Sequence, residues 1–221
     1  MASVTYLQVV NKVLVRLRES SVATVTENAY STLIGSIVNK VKTEIEDAWR
    51  WHALRDTYSV TCVADTVSYV LTGSGPDAVV IDAWNSSQQR QMSPGTVSKF
   101  NERYFGTITP ETGSPTEYVL GGLDASYDLS IDVWPRPTAA TLDTLKFNLY
   151  KPQAELSAGS DVPLVPIAVL VEGAVTRAMA ERGDDGGVQT QQQEALFRDL
   201  LASAIARDSG RDESELMWVP I

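Results

Sequence analysis

Histidine and cysteine are almost missing from this chain: His52 and Cys62 are the only ones in 221 residues. A single cysteine allows no internal disulfide and no Cys-based zinc site, which fits a protein made in reducing cytosol. A single histidine leaves one place for imidazole chemistry. Cationic surplus is missing as well: 18 Lys and Arg face 28 Asp and Glu, a net charge of −10. Gripping phosphates needs the opposite balance, so the surface is not expected to hold nucleic acid, and any DNA near it must slide past. No long hydrophobic run occurs. The most apolar stretch, PLVPIAVLVEGAVTRAMA, is broken by Glu172 and Arg177 before reaching the roughly 20 apolar residues that span a bilayer, so no membrane association is expected. The opening MASVTYLQVV has no basic region before its apolar residues, and no secretory leader is expected. With 43% apolar residues and a mean hydropathy of −0.09 the chain should fold in water.

The hydrophobic period changes twice along the chain. From Thr5 to Arg18, Leu7, Val10, Leu14 and Leu17 recur at threes and fours, the stripe of an amphipathic helix. After SSVATVT, Thr26 is a candidate cap for a longer helix with Ala29, Leu33, Ile37, Val41, Ile45 and Trp49 along one face, ending near Leu54. From Asp56 to Tyr150 the period falls to two. Tyr58, Val60 and Cys62 alternate with polar residues, and VSYVL, AVVIDAW, EYVLGG, LSIDVWP and TLKFNLY follow, each bounded by turn residues. A short helix near 94–104 is predicted to interrupt these strands, with Ser93 as cap and Pro94 in the first turn.

Past Lys151 the helical period returns. Asp161 is a candidate cap for a helix carrying Pro163 and Pro166 in its first turn and running to Gly183; its Ala168, Gly173, Ala174 and Ala178 would admit neighbouring helices closely. A last helix shows Leu196, Phe197, Leu200, Leu201, Ala204 and Ile205 on one face and ends near Ser209. The predicted architecture is therefore α+β: residues 1–55 and 153–208 form an antiparallel helical bundle from both chain ends, residues 56–152 an inserted antiparallel β domain, and residues 209–221 an extended tail.

Several stretches invite a chemical reading. His52 could act with Cys62 or a serine, oriented by Asp47 or Asp56, but no nucleophile-elbow motif occurs and a spacing of ten residues across a helix–strand junction gives the two side chains no reason to meet. DASYD and GDDGG gather carboxylates without the spacing of a calcium loop and read as turns. TGSGPD has the glycines of a phosphate cradle but neither its lysine nor its helix. Asp77, Asp82, Glu117, Asp128 and Asp132 supply carboxylates for a glycosidase, and Trp84, Tyr118, Tyr127 and Trp134 could stack on a sugar, although nothing selects a pair or a platform. A carbohydrate-binding or hydrolytic tail module built on the β domain is the alternative function. No metal, cofactor or catalytic residue is expected. The sequence WRWH reads better as a mechanical element, in which Trp49, Trp51 and His52 wedge the joint between the two domains. At the chain's end, Leu216, Met217, Trp218, Val219 and Ile221 are candidate docking residues for a partner, with Trp218 as anchor.

The strings VNKVLVRLRE, NAYSTLIGSIVNKVKTEIEDAWRWHALRDTYSVT and LKFNLYKPQAELSAGSDVPLVPIAVLVEGAVTRAMAERGDDGG, in that order, resemble the tailed-bacteriophage head-to-tail adaptor family, called tail tubular protein A or gatekeeper in short-tailed phages. The resemblance spans roughly Thr5 to Ala206. It implies a structural virion protein without enzymatic activity, made in the host cytoplasm and placed in the virion neck. About twelve copies would form a ring that binds the portal protein on one side and a tail or nozzle protein on the other. The genome would leave through the ring without being bound specifically. The resemblance carries no site residues over.

Overall fold

The computed structural model describes residues 3–106, 109–183 and 188–211. It is α+β, and the chain divides into two compact units: 1–53 together with 153–221, and 54–152. The segments 184–187 and 212–221, which hold most of GDDGG and all of the candidate docking residues from Leu216 to Ile221, lie outside the described residues.

The helical unit holds α1 (Tyr6–Arg16), α2 (Ala29–Ala48), α4 (Ile167–Glu181) and α5 (Val188–Ser209). Thr5 and Gln8 cap α1 reciprocally, and Val9, Val10, Val13 and Leu14 are buried while Leu7 is only half-buried. Helix α2 is capped by Asn28 instead of Thr26, again reciprocally with the residue three positions on, here Ser31. Its buried face follows Ile34, Val38, Val41 and Ile45, and Leu33 and Ile37 lie off it. Stepping by four through Leu33 and Ile37 turns the stripe by about 40° per step, so it leaves the face that steps of three and four hold together. The helix also stops at Ala48, earlier than expected, because Trp49 takes an extended backbone.

Asp161 does not cap α4. Its carboxylate instead accepts from the amides of Ser157 and Ala158 at 2.8 Å, closing its own turn. Helix α4 starts after Pro166 without a side-chain cap. Each proline pushes the residue before it out of the helical region, which keeps the stretch between Pro163 and Pro166 from joining the helix. Helix α4 packs on α1, α2 and α5. Gly173 makes this possible: a Cβ there would lie 2.6 Å from Val41 and 2.7 Å from Phe197, on the two flanking helices. Ala174 and Ala178 are buried beside it, whereas Ala168 is exposed. Along α5, Phe197 and Ala204 are buried, Leu196 is exposed, and Leu200, Leu201 and Ile205 are half-buried.

The β unit contains β1 (Arg55–Thr61), β2 (Ser68–Val70), β3 (Val79–Asn85), β4 (Arg90–Pro94), β5 (Glu117–Leu123), β6 (Leu129–Trp134) and β7 (Thr144–Tyr150), in the spatial order β1-β7-β3-β4-β5-β6-β2. All pairs are antiparallel except β4 with β5. Strand β4 joins two ladders, pairing with β3 through Arg90 to Met92 and with β5 through Ser93 and Pro94. The inward side chains of both ladders meet in one core around Leu145, Phe147, Leu149, Ile131 and Val133, with Tyr118 edge-on to Phe147 at 5.7 Å.

Ser93 and Pro94 therefore belong to a strand, and the helix that follows, α3 (Val97–Phe105), is capped by Thr96. Pro94 is tolerated because the ladder bonds come from its neighbours: Ser93 donates to the Thr116 carbonyl at 3.0 Å and Gly95 to that of Tyr118 at 2.7 Å. Strand β4 was not expected, since its one buried apolar residue, Met92, leaves no alternation to read.

Candidate functional site

A polar cluster of the helical unit forms where α2 gives way to the WRWH stretch and α5 ends. Trp51 is 3% exposed, and its indole nitrogen donates to the Ile45 carbonyl at 2.7 Å. Ile45 lies in the last turn of α2, where carbonyls have no partner inside the helix, so the ring both packs and caps. Asp208, in the last turn of α5, is buried. Its Oδ2 accepts from the Trp49 indole at 3.2 Å and the His52 amide at 3.1 Å, and lies 3.0 Å from His52 Nδ1. Arg211 approaches Oδ1 at 3.5 Å. A carboxylate at a helix C-terminus opposes the helix dipole, and these donors offset that cost. Burial alone would push the Asp208 carboxyl up, but the bonds from His52 and Trp49 hold it below the ordinary carboxylate value.

This carboxylate works on stability in a definite pH window. Its folded pKa lies below the unfolded value of about 3.9, so its contribution is present above that value and is lost as pH falls through the folded pKa. Asp208→Asn should cost about 1.5–3 kcal/mol at neutral pH. In urea titrations the gap between variant and wild type should shrink as pH falls below the unfolded value of about 3.9; a gap that stays constant with pH would rule out the charge as its source.

His52 is thus oriented by a carboxylate, but by Asp208 and not by Asp47 or Asp56, both of which are exposed. The sequence offered no sign of this, because 156 positions separate the partners. Cys62 is unsuited to serve as a nucleophile. Cys62 is buried in the core of the β unit, and burial pushes its thiol up to about 11. A thiol so rarely ionised at neutral pH is a packing group.

The other candidates resolve into local structure. Asp124 accepts from the amides of Ser126 and Asp128 at 2.8 Å, so DASYD closes a turn. The glycine amides of TGSGPD do bind an anion, but it is the chain's own: Asp128 accepts from Gly73 at 2.7 Å and from Gly75 at 3.0 Å, which holds its carboxyl below the usual range. Both glycines have positive φ, which aims their amides at that carboxylate. Asp82 is taken up by Asn148, Glu117 by Arg103, and Asp132 by Ser68, while Asp77 is exposed. The four aromatics do not form one exposed set: Tyr118 is in the core, Trp134 lies under the Arg103 guanidinium at 3.8 Å, and Trp84 and Tyr127 are exposed. Among the described residues no group of three His, Cys, Asp or Glu side chains could hold a metal ion. No helix there is long and apolar enough to cross a membrane.

A cleft of about 310 Å³ opens beside Asp208, with a floor of Trp51, Val165 and Ala204 and a lip of Leu164, Arg207 and Arg211. Leu164 is 45% exposed there. The sequence reading missed this feature, since its walls come from three separate stretches.

No curated protein matches the chain. The model of one family, described as SU10 adaptor protein, matches residues 4–218, which covers both units. On that match the chain belongs to the SU10 adaptor protein family, a family of bacteriophage head-to-tail adaptors.

Proposed function

We propose that this chain is a structural protein of the virion neck, where a ring of about twelve copies connects the portal protein to a tail or nozzle protein and lines part of the channel for DNA. Family membership across residues 4–218 is the observation that carries this reading. Membership of a structural adaptor family also supports a non-enzymatic role. In this reading helices from both chain ends form one antiparallel bundle that associates side by side in the ring, with the β domain inserted between its halves. Trp49, Trp51 and His52, just before the chain passes into the β unit, act as the domain joint. Leu216, Met217, Trp218, Val219 and Ile221 dock on a neighbouring subunit or on the portal. The net charge of −10 per copy gives the channel an acidic lining over which DNA slides. Electron microscopy of the particle neck tests the proposal: a ring of this chain between portal and tail is expected, and a neck without it would end the adaptor reading.

A further inference from the structure

Covering the large apolar side chains at the end of the chain is favourable in proportion to the apolar area removed from water. The segment 212–221 carries Asp212, Glu213 and Glu215, followed by Leu216, Met217, Trp218 and Val219. An acidic run leading into an apolar one calls for an apolar floor with a cationic rim. The cleft at the end of α5 offers both, with Trp51, Val165 and Ala204 below and Leu164, Arg207 and Arg211 at the lip; Asp208 lines it too, its carboxylate taken up by Trp49, His52 and Arg211. At about 310 Å³ it sits at the lower end of ligand-sized clefts, room for one large side chain and too small for a helix.

The chain also leaves the helix at this spot. Arg211 itself lines the cleft, and a turn closed by Gly210 donating to Ala206 and Arg211 donating to Asp208 ends α5 there. Trp218 follows seven positions later, within a reach of about 25 Å when extended, so it can double back into the cleft. A tether this short sets an effective concentration in the millimolar range, far above that of free subunits at micromolar protein.

We propose that in the unassembled subunit the segment 212–221 occupies the cleft of its own chain, with Trp218 against Trp51 and Leu164, and that assembly requires it to leave. The proposal rests on the adaptor reading only for what the segment is released toward; the occupancy itself is a property of the isolated chain.

Engineered thiols test it in the full chain. Leu164→Cys places one at the exposed lip, and Met217→Cys one beside the anchor. Cys62 does not compete, since its buried thiol is pushed up to about 11. Under mild oxidation at micromolar protein, the double variant should form a disulfide within one chain, seen as faster migration without reductant. Adding Trp218→Ala should slow its formation about tenfold. Products joined between two chains, no disulfide at all, or a rate indifferent to Trp218→Ala would each overturn the proposal. Repeating the test with Arg207→Cys in place of Leu164→Cys guards against a local effect of either substitution. Failure here leaves the neck reading intact, because that is decided on particles.

Discussion

Trp51→Ala is expected to destabilise the helical unit by about 3–5 kcal/mol, the cost of truncating a large aromatic in a packed interior. The ring is 3% exposed, so its whole area returns to water or leaves a void. The lost indole bond adds to the cost, since the Ile45 carbonyl in the last turn of α2 is left without its donor. For a domain of this size such a loss lowers the melting temperature by roughly 8–16 °C. Trp51→Phe separates the two contributions: it keeps most of the packing and should cost only about 1–2 kcal/mol, mostly the bond. Trp49→Ala should be milder than Trp51→Ala, because Trp49 is half-buried and donates to Asp208, which retains the two His52 contacts. Calorimetry on the three variants checks the order. A Trp51→Ala protein within about 1 kcal/mol of wild type would contradict the packing assigned to this ring.

Lys42→Met should be as damaging, for an electrostatic reason. Lys42 is 1% exposed; its ammonium donates to Glu46 Oε2 at 2.9 Å and to the Gln153 carbonyl at 2.5 Å. Gln153 in turn donates to the Val162 carbonyl at 2.8 Å and accepts from the Leu164 amide at 3.0 Å, and Asn39 exchanges two bonds with Leu156. One side of α2 thus ties down the stretch that leads into α4. Removing the lysine alone strands a buried carboxylate and should cost about 3–5 kcal/mol. Burial pushes the Glu46 carboxyl up, against the pull of Lys42, so its ionised form is a net burden to the fold. Replacing both groups, Lys42→Met with Glu46→Leu, should therefore cost clearly less than Lys42→Met alone. Denaturant midpoints of the single and double variants decide the matter, and a double variant at the sum of the two single losses would show that the pair is not coupled.

Both predictions rest on residues whose importance the sequence displayed unevenly. WRWH stood out by composition, and its two tryptophans do anchor the end of α2. Lys42 did not stand out, since a lysine on a helix is ordinarily a solvated residue. Only when the stretch 153–164 crosses α2 does the position become interior, and the ammonium then has to find fixed acceptors.

The periods of three to four and of two sufficed to assign helices at both chain ends and strands between them, because burying one face of a helix or strand imposes that period directly on the sequence. Local rules failed where two of them competed for the same residues. Ser93 and Pro94 have the chemistry of a helix start, yet strand pairing with Glu117 and Tyr118 claims them; Thr26 and Asn28 can both cap, and the reciprocal bond with Ser31 selects Asn28. Contacts between distant segments were not legible at all. Asp208 beside His52, Asp128 filling the glycine loop, and the cleft of Trp51, Leu164 and Ala204 each bring together residues that no local pattern relates. Periodicity records which side of an element is buried, and that much the sequence determined by itself. Which partner lies opposite depends on how the elements pack, and only the tertiary structure decided it.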